Sequence, residues 1–249
     1  MFRMRKILFA VILALVIAFP TSVAALPTPA PVQRNAVVLS SLNALVPLGY
    51  YGMLMISNLK HAGYNVTYLA DNAVTVDFLV NHLNDYDVVI WRTNTFTLMH
   101  TTYWYVGESV NDATAQKYIY DFAQGWITGQ AGILGVTQDF INHYFTSNSL
   151  NHVKLMLFIS SYGNSLASHF VTAGVTSIIF CNGAITLQFG LIDDLTNALV
   201  TYLATGQNVL TSVYKTVSPF NQGQQPEDNL DSTYTPPFWF MGNGSLTLT

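Results

Sequence analysis

Charge is scarce in this sequence. Of its 249 residues only 9% are Asp, Glu, Lys or Arg, against roughly 25% in an average globular domain, while 51% are hydrophobic and 13% aromatic. Such a balance excludes a disordered chain and a coiled coil. Long apolar runs are also missing except near the N-terminus: later ones are broken within about ten residues by Gly, Asn, Asp or Ser, short of the roughly 20 needed for a bilayer span. That argues against a polytopic membrane protein. Cysteine is nearly absent, and Cys181, standing alone, cannot form an internal disulfide. The fold must therefore be held by its core, which is feasible above about 200 residues. The six histidines make no close pair on a helix face and join no Cys cluster, so neither a metal nor another cofactor is expected. No internal repeat is present.

What is there begins with a targeting pattern. Arg3, Arg5 and Lys6 precede the 13-residue apolar run Ile7 to Phe19, and Ser22, Val23, Ala24 and Ala25 supply the small residues of a cleavage site. This order predicts a secretory signal over residues 1–25 and a chain exported to the cell envelope or beyond it. The membrane is touched only through that segment, if it stays uncleaved. Pro27, Pro29 and Pro31 predict an extended linker over residues 26–35. Removing the signal leaves six basic residues against 13 acidic ones, a net charge of −7. A nucleic-acid partner has no basic footprint on such a chain.

Apolar periodicity then alternates between two kinds. Ala36 to Ser40 is a β-branched run, followed by a helical segment from Tyr50 to His61, with Met53, Ile56 and Leu59 in step, closed by Gly63. A strand over Tyr64 to Leu69 precedes a helix capped by Thr75, whose Val76, Leu79, Val80 and Leu83 form one stripe. Asp87 to Trp91 reads as a buried strand. After a mixed, aromatic-rich insert come a strand over Val153 to Ile159, a helix over Leu166 to Ala173, a strand over Val175 to Phe180 and a helix over Asp193 to Leu203. Strands separated by helices predict parallel crossovers and a covered sheet, hence an α/β class with the strands ending at Trp91, Ile159 and Phe180 adjacent and parallel. Asn221 to Asp231 reads as a surface loop and Ser245 to Thr249 as a final strand.

In such sheets chemistry gathers beyond the carboxyl ends of the strands. Three polar clusters stand there: Arg92-Thr93-Asn94, Ser160-Ser161-Tyr162-Gly163 and Cys181-Asn182-Gly183. The order of strand, polar triplet, long insert, strand, small residue plus Gly, helix, Ala-Gly, strand, helix and Thr-Gly resembles the caspase-haemoglobinase fold in its gingipain-like, separase-related exported branch. Tyr86 to Arg92, Gly135 to Ile141, Leu155-Met156, His169 to Val175 and Leu203 to Val209 carry the likeness, which spans residues 36–217. It implies a three-layer sandwich with a mainly parallel central sheet, an insert over residues 95–152 and a C-terminal extension over 218–249.

The resemblance also implies a peptidase dyad of His and Cys at the ends of neighbouring strands. At those positions this chain has Asn94 and Ser161 or Ser160. Asn has no titratable proton and an unassisted Ser hydroxyl is a very weak nucleophile, so a non-catalytic homologue that binds a peptide or protein is expected. An active hydrolase is the alternative, using Ser161 with His100 or His169 as base, or Cys181, whose place after a strand superficially resembles the nucleophile turn of class I glutamine amidotransferases. Arg92, with Glu108, is the candidate for binding an anion or carboxylate ligand; its structural alternative is an ion pair with Asp87 or Glu108. Tyr103-Trp104-Tyr105, with Tyr118, Tyr120, Phe122 and Trp126, either line a groove or pack the insert onto the sheet. Pro236 to Met241 either staples the C-terminus across the domain or exposes an apolar patch.

Overall fold

Short, continuously apolar strands can be buried on both faces, and four of them make the centre of this protein. The computed structural model describes residues 33–181, 189–221 and 238–248. Strands β1 (Arg34–Ser40), β2 (Tyr64–Ala70), β3 (Val88–Arg92), β8 (Leu155–Ile159), β9 (Ser177–Cys181) and β10 (Phe238–Gly242) form one sheet in the order β10-β9-β8-β3-β1-β2. All neighbours run parallel except β10, which lies antiparallel to β9. The strands ending at Trp91, Ile159 and Phe180 are thus adjacent, with β8 interior to the sheet.

The two-residue period of the strands sorts their side chains into two cores. Val37, Leu39, Val89, Trp91, Met156, Phe158 and Ile178 face one way. They meet α2 (Val76–His82), α5 (Gln138–Tyr144), α6 (Asn164–Thr172) and a second sheet. Val38, Ile90, Leu157, Ile159 and Ile179 face the other way, toward α1 (Tyr50–His61), α7 (Phe189–Ala204) and α8 (Val209–Asn221). The result is a three-layer α/β architecture with a mainly parallel central sheet. Among the described residues no helix is long and apolar enough to cross a membrane.

The aromatic-rich insert is an antiparallel sheet of β4 (Thr95–Leu98), β5 (Thr101–Ser109), β6 (Ile127–Gln130) and β7 (Ile133–Val136), in the order β4-β5-β7-β6, with the short helices α3 (Asp112–Lys117) and α4 (Ile119–Ala123) between β5 and β6. It packs onto the first core: Trp104, Val106, Leu134 and Val136 are fully buried there. Phe158 sits at the junction, 5.1 Å from the Trp91 ring, 5.9 Å from Phe170 and 6.5 Å from Trp104. Of the aromatic segment, Tyr103, Trp104 and Tyr118 are therefore core residues, and Tyr120 is exposed.

Three sequence expectations need correction. The final strand is Phe238–Gly242, not Ser245 to Thr249. The tail after Gly242 instead caps α8, whose Val209 and Leu210 N–H groups donate to the Leu246 and Gly244 carbonyls at 2.9 Å each. Helix α8 was not expected, and it runs to Asn221, through the boundary at 217. The linker boundary also moves, because β1 begins at Arg34, where pairing with Tyr64 starts the register. The secretory signal and most of the loop over Asn221 to Asp231 lie outside the described residues.

Phe158→Ala removes the ring that joins sheet, insert and α6, and should cost about 3–5 kcal/mol in urea unfolding. Tyr120→Ala on the exposed face should stay within about 0.5 kcal/mol.

Candidate functional site

The carboxyl end of the central sheet carries a buried polar band. Ser40 ends β1 and Ser41 follows it, Arg92 ends β3 and Thr93 follows it, and Ser160 and Ser161 follow β8; all six are buried. The strand order reverses between β1 and β3, the place where open α/β sheets form a ligand crevice. Here the polar groups at that reversal bond to one another. Trp91 Nε1 donates to Ser41 Oγ at 3.0 Å, the Ser41 N–H donates to the Arg92 carbonyl at 3.1 Å, and Arg92 Nη1 donates to the Val46 carbonyl at 2.8 Å.

Arg92 is an internal strut. Its side chain leaves β3 on the α7 face, where Nε and Nη2 donate to the two carboxylate oxygens of Asp193 at 2.7 and 2.9 Å. Arg92 is 2% exposed and Asp193 7%. Burial pushes the Asp193 carboxyl above its ordinary range, and the Arg92 guanidinium pulls against that shift. The ion pair of Arg92 is therefore with Asp193, and the expected pairings with Asp87 or Glu108 are corrected. Asp87 takes Lys154 at 2.7 Å and the Asn35 N–H at 2.9 Å. Glu108 accepts the Val76 N–H at the start of α2 at 2.9 Å and the Tyr118 hydroxyl at 3.1 Å. Asp193 went unnoticed in the sequence although a signal exists: with Thr196, Val200 and Leu203 it lies on the buried stripe of α7. An acid on such a stripe needs a cationic partner beneath it.

One strand further on, the structure brings Asn94 and Ser161 together. Thr93 ties the end of β3 down, its N–H donating to the Ile159 carbonyl at 2.9 Å and its hydroxyl to the Tyr105 carbonyl at 2.6 Å. Asn94 Oδ1 then accepts the Thr95 N–H at 2.8 Å and the Ser161 hydroxyl at 3.1 Å. Tyr162 follows with a left-handed φ of 55°, and Gly163 opens the way into α6. A Cβ on Gly163 would stand 3.1 Å from the Cys181 carbonyl and 3.2 Å from Phe158 and Phe180 atoms, so the turn packs closely on β8 and β9. The strained Tyr162 and the tight Gly163 hold Ser161 in place under Asn94.

The other candidates are arranged differently. Ser160 is fully buried and its hydroxyl finds no hydrogen-bond partner among the described residues. Cys181 is 1% exposed, and burial pushes its thiol up to about 12, slightly offset by the Ser160 backbone N–H. His169, on α6, is in contact with Gln138 at 2.7 Å, and His100 sits at the exposed tip between β4 and β5 with φ 66°. Chemically, an amide oxygen can orient the Ser161 proton but cannot accept it as a base would.

Two outcomes follow. Arg92→Met or Asp193→Leu alone should destabilise by about 3–5 kcal/mol in urea unfolding, because each leaves a buried charge unpaired, whereas the double variant should recover most of that loss. At pH 8 a thiol with a pKa of about 12 is ionised to roughly one part in 10⁴, against about a quarter for an ordinary thiol. Iodoacetamide should accordingly label Cys181 only after denaturation, as intact mass would report.

No protein-family model matches the chain, and no curated protein matches it in sequence. Among solved structures, it is similar to a flavodoxin from the domain Archaea, at 10% identity and a TM-score of 0.33 over 70% of this chain and 99% of that one. It is also similar to protein GSU0716 from Geobacter sulfurreducens, at 12% identity and a TM-score of 0.41 over 84% of this chain and 94% of that one. Scores this low carry no weight for the site.

Proposed function

We propose that this chain is an exported, non-catalytic relative of the caspase-like, gingipain-related peptidases, and that it binds a peptide or protein partner in the cell envelope or outside the cell. The observation that carries the reading is the Ser161 hydroxyl donating to Asn94 Oδ1 at 3.1 Å. Those two residues occupy the positions that the resemblance assigns to nucleophile and base. Their juxtaposition at neighbouring strand ends supports the carry-over, and their chemistry removes the reaction. The amide orients the hydroxyl without drawing its proton, and loss of a general base alone takes away about 10²–10⁴ in rate. The order of β3, insert, β8, Gly163, α6, Gly174, β9 and α7 keeps the element order on which the resemblance rests.

The hydrolase alternative finds less support. A nucleophilic thiol needs a lowered pKa and access, and Cys181 has neither. Export rests on the basic start, apolar core and small residues of positions 1–25.

The purified protein should leave a fluorogenic peptide panel uncleaved above the buffer rate. Asn94→His with Ser161→Cys should restore thiolate character: at pH 7 the introduced thiol should react with iodoacetamide at least about 10-fold faster than in Ser161→Cys alone, since a neighbouring imidazole lowers a thiol pKa. Peptide turnover by the unmodified protein that Ser161→Ala abolishes would overturn the proposal, as would equal labelling rates in the two variants.

A further inference from the structure

Two triplets of the sequence are still without a role. Asn65-Val66-Thr67 and Asn243-Gly244-Ser245 both read Asn-x-Thr/Ser with no Pro at the middle position, the pattern in which an Asn of an exported chain accepts a glycan. A triplet alone says little, but the fold gives these two related places. Among the described strands, the two edges of the central sheet are β2 and β10. Asn65 lies in β2 and Asn243 follows the last residue of β10, and both are exposed.

The register puts them on one line. Val66, Ala36, Val88, Leu155, Ser177 and Gly242 are paired in turn and form one row across the sheet. Asn65 precedes that row at one edge and Asn243 follows it at the other. Because β10 runs antiparallel, both lie on its amino-terminal side, about 24 Å apart. The row crosses β8 at its first residue, about 13 Å along the strand from Ile159, so both asparagines stand at the end of the sheet opposite the Asn94–Ser161 pair.

An open sheet edge presents a row of unpaired backbone donors and acceptors, and proteins blunt such edges with charged side chains, Pro or bulges. Neither edge strand here has any of these. Tyr64–Ala70 and Phe238–Gly242 contain no charged residue and no Pro, and their ladders run without a register shift. Strand β10 also leaves Trp239 and Met241 48% and 38% exposed. Such an edge pairs readily with another chain unless something bulky stands beside it.

Both amide nitrogens are open to reaction. Asn243 sits in a formed turn: its Oδ1 accepts the Ser245 N–H at 2.9 Å, its own N–H donates to the Thr176 carbonyl at 3.0 Å, and Nδ2 has no acceptor among the described residues. At Asn65, Nδ2 meets Asn35 Oδ1 at 3.5 Å, too long for a good hydrogen bond.

We propose that Asn65 and Asn243 carry N-linked glycans, one guarding each edge of the central sheet against pairing with a second chain. The proposal rests on the exported location put forward above, since the donor, an oligosaccharide joined to a lipid through a diphosphate, is met outside the cytoplasm. In the transfer, Asn Nδ2 bonds to C1 of the first sugar, the bond from C1 to the diphosphate oxygen breaks with its electron pair leaving on the lipid diphosphate, and one Nδ2 proton is released. Nothing is oxidised or reduced. A transferase supplies the catalysis, and this chain supplies the two acceptors.

The test is peptide mass spectrometry of the chain recovered from the cells that encode it, which reads both asparagines and the N-terminal residue together. Asn65 and Asn243 should both carry added hexose or N-acetylhexosamine mass, on a chain that begins near residue 26. A processed N-terminus with either asparagine bare overturns the proposal and leaves export standing. Glycans at both positions on a chain that keeps residues 1–25 uphold it, and an unprocessed chain with bare asparagines overturns it together with export. Thr67→Ala with Ser245→Ala, made in the same cells, should lose both glycan masses and scatter light as larger species than the parent at equal concentration, whereas Thr67→Ser with Ser245→Thr, which keep both acceptors, should match the parent. Should the alanine pair fail to fold, Asn65→Gln with Asn243→Gln makes the same comparison. A glycan-free variant with the size distribution of the parent overturns the guarding of the edges.

Discussion

The buried pair of Arg92 and Asp193 is the constraint on which the carboxyl end of the sheet depends. Two charges enclosed between β3 and α7 must satisfy each other, and with the Val46 carbonyl they fix the loop after β1, the end of β3 and the start of the covering helix in one arrangement. Such pairs are weak evidence for stability, since the desolvation of both ions offsets their attraction. Their effect is on position. With Arg92 anchored, β3 ends where Thr93 can bridge to β8 and β5, and Asn94 is delivered next to Ser161. The same anchoring ties together the polar groups where the strand order reverses, between β1 and β3.

The insert builds the neighbouring part of this end. By packing Trp104 and Val106 against Phe158 and α6, the second sheet extends the first core and brings its β4–β5 tip beside the loop after β8. A polar cavity at the meeting point follows from this geometry: apolar side chains are used up in the core beneath it, and Thr, Gln, Asp and Ser remain at the rim. The low charge of the whole chain has the same consequence, since hydroxyl and amide groups, rather than lysines and carboxylates, form its polar surface.

Much of the layering was legible in the sequence. Continuous apolar runs such as Val-Val-Ile-Trp and Leu-Met-Leu-Phe-Ile, spaced by amphipathic stretches, mark strands buried on both faces. The Thr75 cap was equally plain, its hydroxyl accepting the Phe78 N–H at 3.0 Å. The insert was opaque because three of its four strands are only four residues long, and their pairing is set by contact with a distant core rather than by local pattern. At the site, the nearness of Asn94 and Ser161 could be anticipated from strand order, whereas the buried stripe of α7 marks Asp193 as needing a cation without saying that it is Arg92, 101 residues away. The bond from the Val76 N–H to Glu108, across 32 residues, is likewise invisible without the fold. The cavity escaped notice for the same reason, its walls coming from three separated segments.

The central claim is that the Ser161 hydroxyl, held by an amide, is not a nucleophile. A fluorophosphonate reports directly on serine nucleophilicity, since it adds only to hydroxyls activated by a base. Intact mass after prolonged incubation of the folded protein should show no adduct. A single stoichiometric adduct that maps to Ser161 would contradict the account, because it would show that a base reaches that hydroxyl in the native fold.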